Sequence, residues 1–357
     1  MAMQARMKRC VLNSSALLCA WLAAQAAHFL DLPLPWLLGP LAMAMLWQSC
    51  NIQQSHLLQW RQAGQCLIGI ALGAYFTPSM FSILFDYAGL LLLGIVWALC
   101  LGLLLAILQY RLAGLDWATA WFASCMGGAS EMVNLAERMG ARSDQVAAAH
   151  SLRLVLLVSC VPLILQYMYA IELSTIAAPL TVQPQLLQVL LLLGLSLCAA
   201  YVAQQFNIMN AWVLGPLILV AMLTACEQPL ATLPTELLHL GQLLIGWSLG
   251  RKFPFALLKQ ERRFFCLSLV LNFLGLALSI ALACLVAYFF DLDAKTIILG
   301  ISPGGIAEMS LTAKALQLLV PVVVAFQLTR LIAVLLTSLY FYRLTERYLM
   351  ARKSHEG

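Results

Sequence analysis

LDWATAWFASCMGGASEMVNLAERMGARSDQVAAAHSLRLVLL (115–157) and LDAKTIILGISPGGIAEMSLTAKALQLLVPVVVAFQLTRL (292–331) are two versions of one segment. Leu115-Asp116 and Thr119 match Leu292-Asp293 and Thr296. Gly127-Gly128 and Glu131-Met132 match Gly304-Gly305 and Glu308-Met309, and Arg153 matches Arg330. Every one of these pairs lies 177 residues apart, as Asp116 and Asp293 do. Charged residues make up only 10% of the chain, so coincident Asp, Glu and Arg positions are far more telling than coincident leucines.

The correspondence extends outward. Gly64-Gln65, Ile68-Gly69 and Leu72-Gly73 match Gly241-Gln242, Ile245-Gly246 and Leu249-Gly250 at the same spacing. Trp36 with Leu38-Gly39-Pro40 matches Trp212 with Leu214-Gly215-Pro216 at a spacing of 176. Self-similarity at a fixed offset is the mark of an internal duplication.

Apolar residues are 63% of the chain, and a soluble protein carries about a quarter of its residues charged. With 10% charged, this chain cannot cover a water-facing surface of its size. Apolar runs such as Leu90–Leu108, Val189–Ala203 and Leu267–Phe290 approach or exceed the ~20 residues that cross a bilayer as a helix. The short alternating segments of a membrane barrel are absent. The fold class is therefore an all-α polytopic membrane protein.

Each half divides into six apolar segments. They lie near 11–30, 34–50, 62–77, 86–108, 117–137 and 145–170, then near 187–204, 210–226, 237–250, 264–290, 294–314 and 318–342. The domain organisation expected is a first membrane repeat over 1–170, a linker over 171–185 with Pro179 and Pro184, a second repeat over 186–345, and a cytoplasmic tail over 346–357. Arg6, Lys8 and Arg9 followed by an apolar stretch imitate a signal peptide, but the counterpart in the second half makes this a retained first span.

The fifth segment of each half is unusual. Gly127-Gly128, and Pro303-Gly304-Gly305, sit where a helix interior is expected. Such residues are poor helix formers, and freed backbone groups at membrane depth survive only inside protein or beside water. Each fifth segment is expected to be broken or re-entrant. If all twelve segments crossed, Arg138, Arg142 and the cluster Arg251, Lys252, Lys259, Arg262 and Arg263 would face outside. If each fifth segment enters and leaves on one side, only Lys295 and Lys314 of the loop cations face outside. The positive-inside rule favours the second arrangement. The expected architecture is two inverted repeats, each of five crossing helices plus one broken segment, with both termini cytoplasmic.

With Gly128 as N-cap, Glu131 falls at the third position of the following half-helix, as does Glu308 after Gly305. There a carboxylate meets the positive end of the helix dipole. One reading is capping alone. The other is a midplane solute or ion site, since intramembrane carboxylates are costly and inverted-repeat transporters bind where broken helices meet. Arg153 and Arg330 read either as structural partners of a Glu, or snorkelling cations, or as an anion clamp. Asp116 and Asp293, each three residues before Thr119 or Thr296, read as helix N-caps. Met126 stands where the second copy has Pro303, which predicts a softer kink in the first half. Ser130 is poor support for acyl chemistry, because its counterpart is Ala307. The candidate binding set is Gly127, Gly128, Ser130, Glu131, Arg153, Pro303, Gly304, Gly305, Glu308 and Arg330.

The eleven cysteines show no Cys-x-x-Cys pair, and the five histidines lack ligand spacing, so no metal or cofactor is expected. No nucleophile–base set or phosphate loop is present, and no enzymatic activity is expected. The net charge of +5 is read as topogenic rather than as a nucleic-acid footprint.

The paired segments resemble the duplicated domain of the AbrB membrane protein family, whose pattern runs D-x-x-T-A…[S/T]-P-G-G-x-x-E-M…H-x-x-R. The resemblance covers nearly the whole chain. Gln327 replaces the histidine of that pattern in the second copy, while His150 keeps it in the first. The resemblance implies a bacterial inner-membrane protein, and it carries the family's labels of regulator of AidB expression and of ammonia monooxygenase. The residues support neither label, and the DNA-binding regulator that shares the name is unrelated. The architecture is similar to that of inverted-repeat cation and anion transporters. The leading expectation is a secondary transporter of a small solute, with anions one candidate class and H+ or Na+ the candidate coupling ions. A membrane-embedded regulator is the alternative, and a membrane monooxygenase is disfavoured. The expected partners are the lipid bilayer and the solute; a homodimer is an allowed assembly.

Overall fold

The computed structural model describes residues 2–50, 57–169, 186–208, 210–226, 233–290 and 292–356. All regular structure among them is helical. The first half supplies α1 (Ala2–Phe29), α2 (Pro35–Ser49), α3 (Leu57–Gly73), α4 (Pro78–Asp86), α5 (Ala88–Ala113), α6 (Trp117–Ser124), α7 (Ala129–Arg138) and α8 (Ser143–Tyr169). The second supplies α9 (Leu186–Gln205), α10 (Ala211–Ala225), α11 (Thr235–Gly250), α12 (Phe255–Gln260), α13 (Arg262–Phe290), α14 (Ala294–Ile301), α15 (Ile306–Ala315) and α16 (Val320–Glu356). By length and composition α5, α8, α9, α13 and α16 can cross a membrane.

Three expectations are corrected. The stretches 77–86 and 251–263, read as loops, hold α4 and α12. Pro78 opens α4 and Pro254 precedes α12, and proline favours a helix start. The last segment does not end near 342: α16 runs to Glu356. Glu346, Arg347, Met350 and Ala351 are good helix formers, and polarity alone does not stop a helix. The linker 171–185 lies outside the described residues.

The chain forms two compact units, and each draws on both sequence halves. Unit one comprises Met1–Phe85, Val158–Phe253 and Ala307–Pro321; unit two comprises Asp86–Leu157, Pro254–Ile306 and Val322–Gly357.

Unit one is a bundle in which α2 packs on α1 and α11, α10 packs on α9 and α3, and α3 packs on α11. Lipid tails are as apolar as leucine, so close approach through small residues must hold such helices together. Ala16, Ala20, Ala24 and Ala27 of α1 are buried, on a face that small residues leave open to α2. A Cβ on Gly39 would collide with the carbonyl oxygen of Ala23, and one on Gly215 would lie 2.6 Å from that of Ala199. A Cβ on Gly69 would strike the carbonyl of Val213, and one on Gly246 that of Leu37. Gly73 and Gly250 meet the carbonyls of Leu217 and Leu41 in the same way. The Gly-x-x-x-Gly pairs of α3 and α11 and the Leu-Gly-Pro stretches inside α2 and α10 are thus the contact surfaces themselves.

The backbone repeats as the contacts do. Asp31, Leu34, Asn207, Asn210 and Gln317 have positive φ, and so does Gly140. Asp31 and Leu34 correspond to Asn207 and Asn210, and Gly140 to Gln317, at the sequence offsets given above. Leu34 is the strained member, since left-handed backbone costs a branched residue about 1–2 kcal/mol. Its side chain is buried, which offsets that cost.

Unit two packs α5 on α6 and α13, and α13 on α14. The Trp117 indole donates to Thr345 Oγ1 at 3.2 Å, and the Trp121 indole to the Ser338 carbonyl at 3.2 Å, tying α6 to α16. Phe122 and Tyr342 add a ring contact at 5.3 Å. These contacts fix the half-helix α6 from both sides.

Candidate functional site

Both fifth segments are broken. α6 ends at Ser124 and α7 begins at Ala129; α14 ends at Ile301 and α15 begins at Ile306. The interruptions, Cys125–Gly128 and Ser302–Gly305, occupy matching positions. Cys125 has φ −53° and ψ 137°, and Ser302 has φ −59° and ψ 138°. The softer kink expected from Met126 does not occur, because the backbone leaves the helix at the residue before it. That ψ is what a residue before proline must adopt, so Pro303 fits a turn that the first copy makes without proline.

The outer ends of the segments are capped. The Asp116 carboxylate accepts the backbone N–H of Thr119 at 2.8 Å. The Asp293 carboxylate accepts that of Thr296 at 3.1 Å and the Thr296 hydroxyl at 2.6 Å. Thr119 has a second task in which its hydroxyl oxygen accepts the backbone N–H of Arg142 at 2.9 Å. Arg142 in turn pairs with Glu261, which also accepts from Gln145.

The inner ends expose helix termini inside the protein, where the freed backbone groups need partners. A helix leaves its last carbonyls without intrahelical partners and its first N–H groups likewise. At the first break the Arg153 guanidinium donates to the carbonyls of Cys125 (3.1 Å) and Ser124 (3.4 Å). It also donates to His150 Nδ1 at 2.7 Å, so His150 holds its proton on Nε2 and donates it to the Phe122 carbonyl at 2.9 Å. At the second break Arg330 donates to the carbonyls of Ser302 (2.7 Å) and Gly304 (2.6 Å). Gln327 Nε2 donates to the carbonyls of Leu299 (2.7 Å) and Ser302 (3.1 Å). Arg153 and Arg330 are both buried.

Arg153 and Arg330 therefore act first as carbonyl caps. Neither forms an ion pair with a glutamate among the described residues, contrary to one expectation, and their terminal nitrogens are engaged by the backbone. A cation at a helix C-terminus also opposes the negative end of the dipole. His150 and Gln327 share this role, which the sequence analysis assigned to neither. Both lie three residues before the arginine on one helix face, and that spacing could have singled them out.

Glu131 folds back over the N-cap Gly128, where an added Cβ would strike its carboxylate. It is half-buried, while Ser130 beside it is exposed. Gly127 lies against Met132, whose methyl would be 2.8 Å from an added Cβ. Glu308 is buried on α15, at the position matching Glu131. No cluster of three or more metal-ligating side chains occurs among the described residues.

Comparison with known proteins places this sequence in a family. Two relatives align along most of their length. The protein YhjN of Bacillus subtilis (strain 168), whose name assigns no activity, is 25% identical over 80% of this chain and 78% of its own. A protein of Escherichia coli (strain K12), named as a proposed regulator, AbrB, is 24% identical over 90% of this chain and 93% of its own. A family model described as "Transition state regulatory protein AbrB" matches residues 36–346, which span both breaks and both arginines, and the chain belongs to that AbrB family.

Proposed function

We propose that this protein is a secondary transporter, built of two inverted repeats, that carries a small solute through a site at the two helix breaks. The observation that carries the proposal is the pair of interrupted helices, each held open by a buried arginine and led by a glutamate. Unwound backbone at membrane depth is tolerated where it lines a cavity, and transporters place their solute and ion sites at such interruptions. The recurrence of glycine contacts and left-handed residues at the sequence offset supports the duplication. The distribution of loop Lys and Arg supports inversion, with both termini on the cytoplasmic side of the bacterial inner membrane.

On this reading Glu131 and Glu308 carry the coupling proton or Na+, and Arg153 and Arg330 keep the breaks in shape. No enzymatic step is assigned. Uptake of candidate solutes into proteoliposomes tests the proposal. Glu131→Gln and Glu308→Gln are each expected to lower uptake at least about tenfold, the size of effect that loss of one strong charge contact gives. Unchanged uptake in both variants removes these residues from coupling. Cysteine labelling at Gln260 is expected from the cytoplasmic side and at position 183 from the opposite side.

A second reading, a membrane-embedded regulator acting through a cytoplasmic partner, is favoured by the name of the Escherichia coli relative. It requires a docking surface, and the 251–263 segment offers only the short helix α12.

A further inference from the structure

The polar atoms at the two breaks divide into two sets. The terminal nitrogens of Arg153 and Arg330 are engaged by carbonyls, as described above. A second set has no hydrogen-bond partner among the described residues: Arg153 Nε, Arg330 Nε, Ser124 Oγ, Ser302 Oγ and Gln327 Oε1. All five belong to side chains that are at least nine-tenths buried, and all lie in unit two on the two breaks or the helices that cap them. Buried polar groups are nearly always bonded, and each exception calls for an explanation. Other such atoms, Asn13 Oδ1 and Ser196 Oγ among them, lie elsewhere, but these five sit at the two breaks, where Arg153 is the counterpart of Arg330 at the 177-residue offset and Ser124 stands one residue before the counterpart of Ser302.

Charge points the same way. Neither guanidinium meets a carboxylate among the described residues. Each faces the C-terminus of a short helix, worth about half a negative charge. Two guanidiniums against two such ends leave about one positive charge, buried and flanked by donors. Gln327 Oε1 is an acceptor and takes no part in holding a negative charge.

We infer that the Nε–H groups of Arg153 and Arg330, with the hydroxyls of Ser124 and Ser302, form a site for one small monovalent anion of the carboxylate or halide class. The inference deepens the transport reading by naming the class of solute at the breaks, and it rests on that reading for the role of the site. The terminal nitrogens hold the backbone while the Nε edges hold the ligand, so one side chain serves both structure and binding.

An equilibrium measurement tests the site separately from transport. Purified protein is unfolded by heat at constant ionic strength while gluconate, a bulkier anion, is replaced stepwise by formate, acetate or chloride. The expected result is a saturable rise in the unfolding midpoint for at least one small anion. Ser124→Ala and Ser302→Ala leave the carbonyl caps in place. Each is expected to be no less stable than the parent in gluconate and to raise the half-saturating anion concentration about tenfold. Arg153→Lys and Arg330→Lys keep the charge but remove the Nε donor, and should abolish the saturable response. Dependence that never saturates, or equal half-saturation in parent and serine variants, overturns the site and leaves water as the partner of these atoms. Saturable binding without uptake by any small anion would sink the transport reading and leave the site standing; uptake without saturable binding would do the reverse.

Discussion

The two breaks solve one problem with different wiring. At the first, coverage is divided: His150 serves the Phe122 carbonyl, Arg153 serves Ser124 and Cys125, and the two side chains bond each other. At the second, coverage overlaps: Gln327 and Arg330 both reach the Ser302 carbonyl, and no bond between them is seen. A divided arrangement depends on every member, whereas an overlapping one keeps part of its function when a member is lost. The same backbone turn is therefore held by two networks of different fragility.

The largest effect that tests this contrast is loss of the arginines. Arg153→Met leaves two buried carbonyls without partners, and each costs about 1–3 kcal/mol. Arg330→Met leaves only the Gly304 carbonyl alone, because Gln327 still covers Ser302. Thermal unfolding in detergent is expected to rank Arg153→Met as the more damaging, by about 2 kcal/mol. Equal losses would mean that the overlap at Ser302 contributes nothing.

Double-mutant cycles sharpen the point. His150→Ala with Arg153→Met is expected to be less damaging than the sum of the single changes, since each already breaks their shared bond. Gln327→Ala with Arg330→Met is expected to be worse than the sum, since only the pair uncovers Ser302. Couplings of about 1 kcal/mol with opposite signs are the expected outcome. Two couplings of the same sign would erase the distinction between divided and overlapping coverage.

Smaller still is His150→Gln, which transplants the second network into the first. Its expected cost is below about 1 kcal/mol, against about 1–3 kcal/mol for His150→Leu, which leaves the Phe122 carbonyl unpaired. The smallest effect is expected from Pro303→Ala, within about 1 kcal/mol of the parent. Cys125 holds the same ψ as Ser302 with no proline after it, so proline is not what makes the turn.

Much of this was legible in the sequence, and what was not has a physical cause. The Gly-Gly pairs announced the interruptions because no helix interior tolerates them cheaply. The Asp-x-x-Thr spacing announced the outer caps because the geometry of capping is local. The partners of Arg153 and Arg330 were not legible, because backbone carbonyls leave no trace in residue identity. A buried arginine was read against the carboxylates that the sequence displays, when its partners were peptide groups nearly thirty residues away. The softer kink expected at Met126 failed for a related reason. Proline was treated as the cause of a turn that the end of α6 already makes. The short helices α4 and α12 were missed because six to nine residues carry too little periodicity to stand out from a loop.

The contact of Gly246 and Gly250 with Leu37 and Leu41 has a consequence for how the protein is made. α2 leaves the ribosome early, but the helix that covers it comes about two hundred residues later in the chain. At about 5–20 residues per second, that surface waits on the order of ten to forty seconds for its mate. During that interval the face of α2 that carries the Leu37 and Leu41 carbonyls stands without its mate. Two half-chains produced separately in one cell should therefore find each other, since each carries what the other is waiting for.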